Sequence, residues 1–194
     1  MPEIAGVILA GGQSRRMGRD KATLAWGGAT LAEHLVARLG PRCAPIIVVA
    51  APGQLLSLPG ARTVEDPIAH QGPLRGLATG LAAAHPAEWV FACAVDMPGI
   101  STTLIDHLAR HISGAHDIVA AHDGVSAQPL AALYRTTLAP MMEAALADGQ
   151  RSPRQFLAGA RTVEVPVPGL EPQLRNLNTP EEYHAARSEE APRD

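Results

Sequence analysis

The strongest constraint on this chain is a run without a polar side chain, Ile4-Ala5-Gly6-Val7-Ile8-Leu9-Ala10, followed at once by Gly11-Gly12. A half-exposed strand alternates apolar and polar residues, because successive side chains point to opposite faces. A strand that is apolar at every position leaves no face for water. It belongs inside a sheet covered on both sides, and such sheets are built from parallel strands joined by helical crossovers. Ile46-Ile47-Val48-Val49 and Trp89 to Val95 are runs of the same kind. Arg62 to Glu65, Asp117 to Ala121 and Leu130 to Tyr134 are further strand candidates, with Thr162 to Val165 as a late edge strand.

Stretches of helical period separate these runs. Thr30 to Leu39 places Leu31, Leu35, Val36 and Leu39 on one face. Gly72 to Ala84 carries Pro73 near its first helical position. Thr102 to Ile112 and Leu138 to Leu146 complete the set, with Met141 and Met142 read as core. Repeated strand–helix–strand units predict an α/β fold: one domain with a mainly parallel, Rossmann-like sheet and helices on both faces. The length of 194 residues agrees with one domain. The expected domain covers residues 1–186, and the charged segment 187–194, which contains Pro192, is expected to be a loose tail.

Aromatic residues are only 3% of the chain, so the core must come mainly from Ala, Val, Leu and Ile. Sixteen basic and nineteen acidic residues give a net charge of −3, which recommends neither a nucleic-acid polymer nor an anionic membrane as partner. No apolar run is long enough to span a bilayer, and no positively charged leader begins the chain, so the reading is cytoplasmic. Cys43 and Cys93 fit neither a CxxC nor a zinc spacing and read as buried free thiols.

Open parallel sheets bind ligands beyond the carboxyl ends of their strands. The residues that follow the predicted strands are Gly11-Gly12, Asp66-Pro67 and Asp96-Met97-Pro98. Adjacent glycines let backbone N–H groups approach a phosphate. Arg15, Arg16, Arg19 and Lys21 add positive charge in the same loop. The segment is neither the dinucleotide fingerprint nor a P-loop. Asp96 closes an apolar strand, where a carboxylate either holds Mg²⁺ with substrate phosphates or caps the next turn. Asp66 carries the same two readings. Gly72-Pro73-Leu74-Arg75-Gly76 opens a helix whose amino end suits an anion or a base. Thr179, Pro180 and Glu182 spell a capping box, which leaves Asn176 and Asn178 over as polar ligand contacts. His107 and His111 share only a helix spacing, and Ser14 has no histidine partner, so metal-histidine and covalent serine chemistry are both disfavoured.

These segments together resemble the molybdenum cofactor guanylyltransferases, within the nucleotidyltransferases of Rossmann-like, nucleotide-diphospho-sugar transferase fold. The resemblance rests on Leu9-Ala10-Gly11-Gly12 with Ser14, Arg16-Met17-Gly18 and Asp20-Lys21. It continues through Glu65-Asp66, Gly72-Pro73-Leu74-x-Gly76, Asp96-Met97-Pro98 and Asn176-x-Asn178-Thr179-Pro180-Glu181-Glu182. It implies transfer of GMP from GTP to molybdenum-bearing molybdopterin, with release of pyrophosphate. Leu9, Ala10, Gly11, Gly12 and Lys21 would contact GTP, Asp66 its guanosine part, and Asp96 a Mg²⁺ ion; Lys21, Arg16 and Asp96 would carry the catalysis. Asn176, Asn178 and Gln128 would face the acceptor, and molybdoenzyme chaperones would be downstream partners. Two positions depart from the family pattern. Ala50 stands where an Asn often contacts the nucleotide, and Ala127-Gln128-Pro129-Leu130 replaces a His-Pro-Thr element. A cytidylyltransferase for the same cofactor and a sugar-phosphate nucleotidyltransferase are the alternative enzymes. A nucleotide-binding protein without turnover is the alternative of another class.

Overall fold

The computed structural model describes residues 2–11, 20–68 and 71–190. In chain order the strands are β1 (Ile4–Leu9), β2 (Ala25–Trp26), β3 (Ala29–Thr30), β4 (Ile46–Ala50), β5 (Arg62–Glu65), β6 (Trp89–Ala94), β7 (Ile118–His122), β8 (Ala127–Arg135) and β9 (Thr162–Pro166). The helices are α1 (Leu31–Leu39), α2 (Pro73–Ala83), α3 (Thr102–Ala109), α4 (Ala139–Ala147), α5 (Pro153–Gly159) and α6 (Pro180–Glu190).

Seven strands form one sheet in the order β5-β4-β1-β6-β8-β7-β9, while β2 and β3 make a separate small hairpin. β1 pairs in parallel with β4 on one side and β6 on the other, and all six of its residues are buried. Its side chains alternate between two cores. Ile4 and Ile8 pack with Leu31, Leu35 and Leu39 of α1 and with Leu104 and Leu108 of α3. Ala5, Val7 and Leu9 pack with Leu74, Leu77 and Leu81 of α2, and with Met142 of α4 and Phe156 of α5. The expected mainly parallel sheet with helices on both faces is thus observed. Each fully buried Leu contributes about 1.5–3 kcal/mol, so these two layers supply most of the driving force.

Four local outcomes differ from the sequence expectation. β8 runs antiparallel to both β6 and β7, with a register shift at Ala120/Ala121. Met141 is 55% exposed, and Met142 alone of the pair enters the core. α5 has no counterpart in the sequence expectation; Ser152 caps it by accepting from the Gln155 backbone N–H, and Pro153 opens it. The β2–β3 hairpin likewise has no counterpart in the sequence expectation. Cys43 and Cys93 are free and buried, and burial pushes the Cys43 thiol up to about 12. No helix among the described residues is long and apolar enough to cross a membrane.

α2 lies directly on the sheet because Gly80 carries no side chain. A Cβ there would stand 2.5 Å from Val7 Cγ1 and 3.2 Å from Val49 Cγ2. Val7 is a β-branched residue on the central strand and has little freedom to yield. Gly80→Ala would gain about 1 kcal/mol of helix propensity. Overpacking costs about 1–3 kcal/mol and, with a contact this close to a stiff neighbour, exceeds that gain. The expected result is a lower urea midpoint at unchanged m-value in equilibrium unfolding.

Candidate functional site

The sheet order reverses beside β1: the chain passes from β1 to β4 and β5 on one side, then returns to β6 on the other. Such a switch point opens a crevice beyond the strand ends. The predicted residues meet along that edge. Gly11 leaves β1 with its backbone N–H donating to Val49 O at 3.0 Å. A Cβ on Gly11 would lie 2.8 Å from Ala51 N, so only glycine permits this approach to the end of β4. Asp66 leaves β5 with its backbone N–H donating to Ala50 O at 2.8 Å. A Cβ on Gly76 would meet Leu9 Cδ2 at 3.4 Å and Asp66 Oδ2 at 3.9 Å, which places the start of α2 against both strand ends. Leu9 and Ala10 are buried and contribute backbone and packing here. Ala50 is also buried and brings no polar side chain to the edge. Gly12 and Arg16 fall within residues 12–19, outside the described residues.

The polar centre of the edge is a three-residue cluster. Lys21 Nζ donates to Asp96 Oδ2 at 2.6 Å and to Asn178 Oδ1 at 3.2 Å. The Lys21 and Asp96 side chains are each only 16% exposed, so the pair is screened far less than a surface salt bridge. Asp96 Oδ1 is buried and has no hydrogen-bond partner among the described residues. A buried carboxylate oxygen left unpaired is costly, and a cation removes that cost. No group of three His, Cys, Asp or Glu side chains that could hold a metal occurs among the described residues. The buried Oδ1 fits a divalent cation held by one carboxylate together with phosphate oxygens and waters.

Supports that sequence reasoning read only in part hold this cluster. Asp20 caps a 3₁₀ turn over Lys21–Thr23, its Oδ1 accepting from Ala22 N at 2.9 Å. Its Oδ2 accepts from Gln54 Nε2 at 2.6 Å, and Gln54 Oε1 accepts from Ala51 N at 2.8 Å. Lys21 is thereby tied to the end of β4. An Asp immediately before Lys21 is an N-cap signal readable from sequence; its link to Gln54 is not. On the other side, Leu177 N donates to Asp96 O at 2.8 Å. Glu182 Oε2 accepts from the backbone N–H of Asn178 at 2.7 Å and of Thr179 at 3.0 Å, the expected capping box extended by one residue. Those backbone bonds hold the Glu182 carboxyl below its ordinary value. The Tyr183 hydroxyl donates to Ala25 O, which joins α6 to the strand after Lys21.

The remaining predicted positions lie further out. Asn176 is half-buried and makes no side-chain hydrogen bond among the described residues. Gln128 stands at the start of β8, whose antiparallel course brings it to the edge where β6 ends. Its amide donates to Asp123 Oδ2 at 2.7 Å, so the structure ties it into the β7–β8 hairpin and not to Lys21. At the start of α2, Arg75 is buried and pairs with Glu143 at 2.5 Å and with Gln71 Oε1 at 3.1 Å. Burial raises the Asp66 carboxyl above its ordinary value, and the Ile68 backbone N–H and the Arg75 guanidinium oppose that shift. His107 bonds Pro166 O and the His111 ring lies tilted against it, so this histidine pair has a structural role.

Known proteins share this architecture and sequence. A family profile described as "MobA-like NTP transferase domain" matches residues 6–165. A probable molybdenum cofactor guanylyltransferase of Mycobacterium avium (strain 104) is 45% identical over 190 residues, covering 94% of each chain. A protein of the same description from Mycobacterium tuberculosis (strain ATCC 25177 / H37Ra) is 41% identical over 187 residues, covering 94% of this chain and 92% of the relative. Among solved structures, molybdopterin-guanine dinucleotide biosynthesis protein A from Archaeoglobus fulgidus superposes with a TM-score of 0.77 at 22% identity, covering 95% and 97% of the two chains. The 2-C-methyl-D-erythritol 4-phosphate cytidylyltransferase of Thermus thermophilus shares the fold at a TM-score of 0.71 and 20% identity, covering 96% and 98%. The strand order, the glycine-lined edge and these matches together make the chain a nucleotidyltransferase of the MobA-like NTP transferase family.

Proposed function

We propose that this enzyme transfers GMP from GTP to the terminal phosphate of molybdenum-bearing molybdopterin. The products are pyrophosphate and the guanine dinucleotide form of the cofactor, which downstream molybdoenzyme chaperones would receive. The observation that carries this reading is the Lys21–Asp96–Asn178 cluster at the switch-point edge beside Gly11. The names of the 41–45% identical relatives point to the same reaction.

An acceptor phosphate oxygen attacks the α-phosphorus of GTP, and the bond to the β-phosphate bridging oxygen breaks as pyrophosphate leaves. The attacking phosphate is already ionised at neutral pH, so the protein need not supply a strong base. Its task is alignment and charge stabilisation. The Gly11 turn brings backbone close to the phosphates, and Lys21 places an ammonium where negative charge grows, with Arg16 assigned the same task from the motif. Asp96 would hold Mg²⁺ through Oδ1, which has no hydrogen-bond partner among the described residues. When bound, that ion would neutralise phosphate charge. Asp66, beside Gly76 at the end of β5, presents a carboxylate suited to guanine, whose N1–H and exocyclic amine form a pair of donors on one edge. Cytosine presents no such pair. Asn176, Asn178 and Gln128 keep their assignment to the acceptor side from the family resemblance.

Pyrophosphate release with Mg²⁺ and molybdenum-loaded molybdopterin, run in parallel with GTP, CTP and ATP, tests the assignment. Release with GTP alone is expected. Release with CTP instead would replace guanylyl by cytidylyl transfer on the same fold. Asp96→Ala and Lys21→Ala should each lower turnover by about 10²–10³-fold, the range for removing one electrostatic stabiliser. Near-normal turnover in both folded variants would reject the site.

The raised Asp66 carboxyl predicts a pH limb. Asp66 accepts guanine donors only when ionised, and its folded pKa lies above the ordinary aspartate value. KM for GTP should therefore rise as pH falls through that raised pKa, earlier than for an unperturbed aspartate. Asp66→Asn should show a higher KM without this limb, measured as KM against pH with kcat followed in parallel.

A further inference from the structure

The two oxygens of Asp96 have unlike surroundings. Oδ2 takes the Lys21 ammonium at 2.6 Å, whereas Oδ1 is buried without a partner among the described residues. The ammonium is seated on a second oxygen as well, Asn178 Oδ1 at 3.2 Å. Both walls of this seat are fixed from behind. Glu182 holds the Asn178 backbone, and Leu177 N donates to Asp96 O. Asp20 and Gln54 hold the turn that carries Lys21. A divalent cation added to Asp96 would share one carboxylate with an ammonium already in place, and two cations repel strongly in a partly buried site. A triphosphate changes that balance. Its anionic oxygens compete with Asp96 for Lys21 and add ligands to the cation.

We propose that Lys21, seated by Asn178, is the resident counter-ion of Asp96 in the nucleotide-free protein, so that divalent metal enters together with the triphosphate and not before it. This rests on the reading of Asp96 as a metal ligand given above. Metal and nucleotide then bind with positive coupling, and the coupling is reciprocal. Asn178 acts here as a positioning residue: it touches Lys21, not the cation.

The test is calorimetric titration of Mn²⁺ into the full chain, with and without a non-hydrolysable GTP analogue. The proteins compared are wild type, Lys21→Met, Asn178→Ala and Asp96→Asn, each checked by thermal melting. Wild type should bind Mn²⁺ weakly alone and about 5- to 150-fold tighter with the analogue, the usual range of coupling between sites. Lys21→Met should bind Mn²⁺ alone more tightly than wild type, and the gain from the analogue should shrink. Asn178→Ala should move in the same direction by a smaller factor. Its side chain is exposed, so it decides the question if Lys21→Met fails to fold. Unchanged or weaker Mn²⁺ binding in the folded Lys21 and Asn178 variants, with binding abolished in Asp96→Asn, would overturn the proposal and leave the metal site standing. Unchanged Mn²⁺ binding in Asp96→Asn would remove the metal reading of Asp96, and the proposal with it.

Discussion

The burial of β1 between β4 and β6, with helices above and below, is the constraint from which the rest follows. A strand enclosed on four sides has no place for a charged group along its length. The chain can put polar chemistry only where such strands end. Because β1, β4, β5 and β6 run in parallel, those ends fall on one edge, and Gly11, Asp66 and Asp96 arrive there together. The packing that stabilises the domain thus also gathers the site.

At that edge the physical problem reverses. Asp96 and Lys21 are drawn partly out of water, where a carboxylate and an ammonium hold each other more strongly than they would at the surface. Asp96 Oδ1, without a hydrogen-bond partner among the described residues, is a local cost that the surrounding fold carries. The short bonds from Asp20, Gln54, Leu177 and Glu182 keep the pair from relaxing that cost by simple rotation into solvent. A polar group held in place by a supporting layer of hydrogen bonds is characteristic of binding sites.

Much of this is legible in the sequence, for identifiable reasons. Ile4 to Ala10, Ile46 to Val49 and Trp89 to Val95 are apolar throughout, and that pattern specifies burial on both faces. Thr179 with Glu182 spells out its own capping box. The direction of β8 is not legible, because a strand's side-chain pattern reads the same in either direction. α5 escapes notice because seven residues give too few turns for a periodic signal. Lys21 and Asn178 are separated by 157 positions, and no local rule brings them together. From its own segment Asn178 reads as a ligand contact, since nothing there reveals that a lysine occupies its carbonyl.

The reversed course of β8 carries a consequence for how such a scaffold diversifies. At the end of β6 the connection leads into α3, a crossover helix whose Leu104 and Leu108 pack in the core, so its length is bound to the placement of that helix. On the far side, β7 turns directly into β8 through a hairpin whose tip, around Gly124 and Val125, touches no helix core. Residues can be added to or removed from that tip without displacing a crossover. The architecture therefore sets a connection pinned by a packed helix beside one that can be edited at little cost to the fold.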